Sequence, residues 1–204
     1  MTNTGRVRKY VREECYYSKK DHKKSSGGKY RRYRNIMQDL TLDLETYTQL
    51  KRAFMGGFTH ASNQYSGKTV KGVDSIDLTS SYPTVMVSEL FPMSRPKQFE
   101  VDSLYALKSL ARKYCLVFDV QFTNVENKIG YESYISESRC YNLKGVTIDN
   151  GRVFSAEEMT TTITDVDLEI IEAVYSWETL SVKNVIGFRK GRLPKSIVKS
   201  ILDL

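Results

Sequence analysis

Gly72-Val73-Asp74-Ser75-Ile76-Asp77-Leu78-Thr79-Ser80-Ser81-Tyr82-Pro83-Thr84-Val85-Met86 is the stretch on which the fold turns. It reads as a short strand, a tight corner and the first turn of a helix. Side chains alternate along a strand, so Val73, Ser75, Asp77 and Thr79 share one face and Asp74, Ile76 and Leu78 the other. Pro83 suits the first turn of a helix, where a backbone donor has no partner in any case. Val85, Met86, Glu89 and Leu90 continue at helical spacing. The pattern sets a carboxylate, Asp77, at the mouth of a strand. Free amides follow it at a helix N-terminus, a good place for phosphate, and the ring of Tyr82 stands beside them. Taken without further context, Asp77 reads equally as a strand-end acid capping a turn, and Tyr82 as an ordinary packing residue.

Working outward, the helix Leu44, Tyr47, Leu50 and Phe54 would build has these residues as its apolar side, and Gly56-Gly57 would stop it. Short strands at 58–61 and 68–70 would flank a turn at Asn63-Gln64-Tyr65-Ser66-Gly67. On the other side, Leu104, Leu107, Leu110 and Ala111 predict a helix within 101–114. Cys115-Leu116-Val117-Phe118-Asp119-Val120-Gln121-Phe122 is the clearest strand, with Leu116, Phe118, Val120 and Phe122 on one face. Asp119, on the opposite face, reads as a solvated or salt-bridged residue. Asp149-Asn150-Gly151 turns a hairpin between 146–148 and 153–154. A threonine-rich strand covers 159–163, and Asp165 would cap a helix over 166–177 with Leu168, Ile171 and Tyr175 inward. A strand at 182–188 and a helix opened by Pro194 close the chain, and Trp177 reads as a core residue.

The composition bounds the rest. At 204 residues, with 40% hydrophobic and 11% aromatic side chains, the chain can bury a substantial core. No apolar run approaches the ~20 residues of a membrane span, so no membrane partner is expected. The N-terminus lacks the apolar core of a signal peptide. Cys15, Cys115 and Cys140 are odd in number and lack metal-ligand spacing, which reads as free thiols in a reducing, cytoplasmic setting. The net charge of +7 is uneven: residues 1–36 hold twelve bases against three acids. Within that arm, helices are expected at 4–15 and 29–40, with a flexible linker at 18–28. A basic arm interleaved with tyrosines suits nucleic acid, and equally a solvated tail.

Asp77-Leu78-Thr79-Ser80-Ser81-Tyr82-Pro83 resembles motif A of the family-B DNA polymerases, an aspartate and two variable residues before Ser-Leu-Tyr-Pro. Phe54-Met55-Gly56-Gly57-Phe58-Thr59 resembles the Tyr-x-Gly-Gly motif of the protein-primed phage and plasmid branch. Thr164-Asp165-Val166-Asp167-Leu168-Glu169 resembles a segment between motifs A and B of that branch. Two departures stand out. Ser81 replaces the family's leucine, and Phe54 keeps the ring of the motif tyrosine without its hydroxyl.

The resemblance implies an α+β fold: an antiparallel palm-type sheet with flanking helices, an additional α/β insertion and an N-terminal helical basic arm. Its divisions would be an arm at 1–53, corresponding to the end of an exonuclease and linker region, a partial palm at 54–122 carrying motif A, and a palm or terminal-protein-region-like segment at 123–204. The strand at 115–122 would pair with the motif A strand. By the same resemblance, Asp77 is the catalytic metal ligand, bridging two Mg2+ ions, and the Leu78 carbonyl completes part of one metal's shell. The amides of Thr79, Ser80, Ser81 and Tyr82 face the triphosphate of the incoming dNTP. The Tyr82 ring lies beneath the sugar and leaves no room for a 2′-hydroxyl. Phe54, Gly56 and Gly57 contact template DNA, and Arg139 lies in a strand that reaches DNA.

No exonuclease carboxylates precede these motifs, so no proofreading is expected. Motif B (Lys-x-x-x-Asn-Ser-x-Tyr-Gly) and motif C (Asp-Thr-Asp) have no counterpart in the sequence. The expectation is therefore a polymerase part inactive alone, working on DNA primer-template and dNTPs with a second polypeptide that carries motifs B and C. A terminal protein is a further implied partner. The alternative is a non-catalytic module that binds DNA or a terminal protein.

Overall fold

The computed structural model describes residues 41–59 and 63–203, and the helices and linker expected in the basic N-terminal arm lie outside them. In chain order the elements are α1 (Leu44–Ala53), α2 (Ser81–Ser88), β1 (Phe91–Pro92), β2 (Lys97–Phe99), α3 (Leu104–Ala111), β3 (Tyr114–Asn127), β4 (Cys140–Lys144), β5 (Thr147–Asp149), β6 (Arg152–Thr164), α4 (Asp165–Val174), β7 (Tyr175–Ser176), β8 (Thr179–Gly191) and α5 (Lys195–Leu202). They fall into two compact units, one formed by Asp43–Ser75 with Pro96–Phe188, the other including Ile76–Arg95 with Arg189–Leu204. The expected border at 122/123 falls inside β3.

The larger unit is an antiparallel sheet ordered β8-β3-β6-β4, with β2 on β8, β5 on β6 and β7 on β3. The expected α+β class is therefore met. Leu116, Phe118, Val120 and Phe122 of β3 are all completely buried, as their alternation predicts. Each contributes about 1.5–3 kcal/mol by leaving water. They meet Met159 and Ile163 of β6, and Leu168 and Ile171 of α4. Phe118 pairs with Ile163 and Phe122 with Met159 in register. Trp177, half-buried, packs against the core with its ring 5.2 Å from that of Phe122.

Turn chemistry sets the hairpin. Asn150 and Gly151 take φ of 50° and 72°, the left-handed pair that a two-residue connection between twisted strands demands. Gly187 is glycine for a different reason. A Cβ there would stand 2.9 Å from both Leu116 Cδ2 and Phe99 Cε2. Gly187→Ala is accordingly expected to cost about 1–3 kcal/mol through overpacking, measured by urea denaturation.

Several expectations are corrected. Helix α1 forms, but inverted: Leu44, Tyr47 and Phe54 are exposed while Thr46, Gln49 and Ala53 are buried. The face of the sheet beneath α1 is polar, so the helix turns its polar side down. Gln49 Nε2 donates to the Asn184 carbonyl at 2.6 Å, which satisfies both groups. The helix also stops before the glycines, where Phe54 goes extended at φ −61°, ψ 127°.

Asp119 is buried rather than solvated, accepting from Thr162 Oγ1 (2.6 Å) and Asn184 Nδ2 (2.8 Å). Helix α4 is capped by Thr164, not Asp165. Thr164 and Asp167 bond reciprocally in a capping box. Asp165 instead accepts from the Leu116 amide at 2.9 Å. The short strands expected at 58–61 and 68–70 are absent among the described residues, while the turn expected between them begins as a 3-10 turn at Asn63–Tyr65.

The smaller unit holds α2 and α5 in contact, and pairs β1 with the end of β8. Phe91 faces Gly191 and Pro92 faces Lys190. The Met93 amide donates to the Arg189 carbonyl at 2.8 Å, and the Arg189 amide to Ser94 Oγ at 2.8 Å.

Candidate functional site

Residues 73–78 form no strand. A strand needs a ladder of partner N–H and C=O groups, and among the described residues none pairs with this stretch. The strand expected beside it, β3, pairs with β6, β7 and β8 instead. Residues 71–80 are exposed throughout, on what would be both faces of a strand. Ile76 is 90% exposed, Leu78 76% and Tyr82 78%.

The corner and the helix are present. Ser80 adopts a left-handed conformation, φ 56° and ψ 35°, and enters α2 as its N-cap without a side-chain cap bond. Its carbonyl accepts from the Thr84 amide (3.0 Å) and from Thr84 Oγ1 (2.9 Å). Pro83, in the first turn, has no amide to offer. The amides of Ser81 and Tyr82 have no acceptor among the described residues, which is the ordinary state of a helix start and an available site for an anion. Asp77, the Leu78 carbonyl, these amides and the Tyr82 ring thus fall together in residues 77–82, all exposed. Asp77 has no hydrogen-bond or ion-pair partner among the described residues. The arrangement can hold a hard cation at the carboxylate and a phosphate at the amides.

The other expected site residues lie in the larger unit. Phe54 is 75% exposed. Gly56 is in neither a left-handed conformation nor a crowded place: nothing stands within 4 Å of a Cβ built on it. The protein's own packing therefore does not call for glycine there.

Arg139 ends a 3-10 turn (Glu137–Arg139) just before β4 rather than lying in a strand as expected, and it faces inward, its side chain only 10% exposed. Nη2 donates to the carbonyls of Ala53 (2.9 Å) and Thr162 (3.0 Å), and Nη1 reaches Met55 Sδ at 3.0 Å. Asp167 Oδ2 lies 3.6 Å from Nη2. Asp167 also accepts from the Tyr134 hydroxyl at 2.5 Å. Burial first, and that hydrogen bond second, push the Tyr134 phenol well above its ordinary ionisation range. Burial likewise pushes the neighbouring Cys140 thiol up to about 11, which keeps it protonated and unreactive at neutral pH. Tyr134 had no signal in the sequence. Asp167 had one, as part of the Thr164–Glu169 resemblance, but nothing local assigned it a role.

The sequence model of the family described as DNA polymerase type B, organellar and viral, matches residues 8–199. The DNA polymerase of Bacillus phage B103 is 27% identical over 177 residues, covering 85% of this chain and 28% of that protein. The DNA polymerase of Bacillus phage Nf is 27% identical over 178 residues, with the same coverage of 85% and 28%. The chain thus spans under a third of the length of these curated relatives. In fold it is similar to Phi29 DNA polymerase complexed with primer-template DNA and incoming nucleotide substrates, with a TM-score of 0.64 at 18% identity over 98% of this chain and 31% of that one. It is also similar to Phi29 DNA polymerase complexed with single-stranded DNA, with a TM-score of 0.59 at 19% identity over 98% of this chain and 30% of that one. The chain belongs to the type B DNA polymerases of the organellar and viral family.

Proposed function

We propose that this chain supplies the motif A part of a DNA-directed DNA polymerase that replicates phage- or plasmid-type DNA in the cytoplasm of its host. The observation that carries the proposal is the grouping of an exposed carboxylate, an exposed carbonyl, unbonded amides and an exposed aromatic ring within residues 77–82.

The donor set fits magnesium, which takes oxygen ligands, keeps several waters, and is commonly held by one or two carboxylates together with substrate phosphates. Asp77 and the Leu78 carbonyl are the groups that would hold it. When bound, a pair of such ions stabilises the attacking and leaving oxygens of nucleotidyl transfer. The chain's own residues then have distinct tasks. The amides of Thr79, Ser80, Ser81 and Tyr82 take the triphosphate of the dNTP. The Tyr82 ring closes the space a 2′-hydroxyl would need. Phe54, Gly56 and Gly57 meet the template strand of the primer-template, and the lack of any packing reason for Gly56 supports that reading. Part of residues 120–190 is the proposed surface for a terminal protein.

Among the described residues, no group of three or more His, Cys, Asp or Glu could hold a metal ion. The further carboxylate and the triphosphate-binding lysine are proposed to come from polypeptide outside these 204 residues, in cis or in trans.

Tyr82→Val is expected to lower the preference for deoxynucleotides over ribonucleotides roughly 100-fold. The measurement is the ratio of kcat/KM values in the enzyme reconstituted with motifs B and C. An unchanged ratio would remove Tyr82 from the sugar site. DNA binding without any incorporation would favour the non-catalytic module.

A further inference from the structure

We infer that Arg139 is a positioning residue: through one buried polar network it mounts the exposed Phe54-Met55-Gly56-Gly57 segment at the end of α1. The functional part of this inference rests on the reading of that segment as a template contact.

A helix leaves its last carbonyls without partners, and its C-terminal end favours a cation. Arg139 answers both needs for α1 by bonding the Ala53 carbonyl at 2.9 Å. It also holds Met55 Sδ at 3.0 Å. The two bonds flank Phe54, so they fix the residue at which the chain leaves the helix and projects its ring into solvent. The same guanidinium is anchored to β6 through the Thr162 carbonyl at 3.0 Å, and it faces Asp167. Its Nε has no acceptor among the described residues, so the other two nitrogens carry the whole compensation for burial.

The far end of the segment is fixed as well. Phe58 stacks on Tyr134 with ring centroids 5.9 Å apart, and the Arg152 guanidinium lies 4.2 Å from the Phe58 centroid. Arg152 Nη1 donates to the Tyr134 carbonyl at 2.6 Å. The Tyr134 hydroxyl donates to Asp167, which joins the two mounts. Between them only Phe54, Gly56 and Gly57 face solvent. A lysine at 139 offers donors from a single point and does not reproduce the forked reach to Ala53, Met55 and Thr162.

The test is Arg139→Lys in the full chain. Hydrogen exchange in the peptide covering the last turn of α1 through Phe58 is expected to rise about 10-fold, with β3 and β6 unchanged. Affinity for a primer-template duplex is expected to fall about 10-fold, while the slope of log affinity against log salt stays constant. In the charge-removing Arg139→Gln the slope is expected to stay constant as well, whereas a direct phosphate contact would lower it by about one. Unchanged local exchange, or a reduced slope, overturns the inference. Should Arg139→Lys fail to fold, Tyr134→Phe, which removes only the hydroxyl link, is expected to raise exchange in the same peptide about 3-fold, and no rise overturns the inference. Faster exchange with unaltered DNA affinity would uphold the mount and remove the template reading instead. Gly56→Val tests that reading alone, since it leaves Arg139 in place.

Discussion

Asp77→Asn is expected to lower the rate of nucleotide incorporation by at least about 10³-fold, a loss of about 4 kcal/mol of transition-state stabilisation. The substitution keeps the shape of the side chain and removes its charge, which is what a divalent cation needs. It should cost the fold almost nothing. Asp77 is exposed and has no hydrogen-bond or ion-pair partner among the described residues, and surface changes of that kind stay within about 0.5 kcal/mol. The separation of the two effects is the point. A residue whose only work was to cap the turn before α2 would show the reverse, some loss of stability and little loss of rate. Single-turnover incorporation and thermal melting, run on the same preparation, measure both.

Asp167→Ala is expected to destabilise the larger unit by about 3–5 kcal/mol, the usual cost of leaving a buried charge without its partner. Asp167 accepts from the Thr164 amide (2.8 Å), from Thr164 Oγ1 (2.9 Å) and from the Tyr134 hydroxyl (2.5 Å), and it is the acid beside Arg139. Truncation therefore uncaps α4, strands a phenol and leaves a guanidinium unbalanced. Urea denaturation should show the midpoint falling by about 2 M. The bond to Tyr134 also has a direction in pH. The folded state holds the phenol neutral above its ordinary 10.0, so that contribution is complete below pH 10 and is lost as pH rises beyond it. The alanine variant should show a smaller alkaline loss, since burial, the larger cause, remains.

What could be read from the sequence was what local chemistry decides. The alternation in β3 specified its buried face because the period of a strand leaves no choice. Asn150-Gly151 specified the hairpin because few other residues accept its dihedrals. Leu168 and Ile171 mark the inner side of α4 for the same reason of spacing, while the expected helix stops at Val174 and Tyr175 is buried as the first residue of β7.

The failures share a different cause, since each depended on a partner distant in the chain. The apolar stripe of α1 was visible, but which stripe is buried follows from the sheet beneath it, and that face carries Asp119, Thr162 and Asn184. The stretch at 73–78 has the alternation of a strand, yet alternation does not supply a neighbour to bond with. The DNA reading of Arg139 comes from resemblance, which carries no information about its packing. Its place was set by two carbonyls and a carboxylate from three separate segments. In the candidate site, the turn at Ser80 and the helix start at Ser81 were legible, because Pro83 marks them. The role of Asp77 came through resemblance, not through local pattern.

Asp77 is proposed to serve polymerisation. The most direct test is magnesium-dependent primer extension by this chain combined with a polypeptide carrying motifs B and C, with wild type and Asp77→Asn side by side. Extension is expected from the wild-type combination, with dependence on magnesium, and none above background from the variant. Equal extension by wild type and variant would contradict that role.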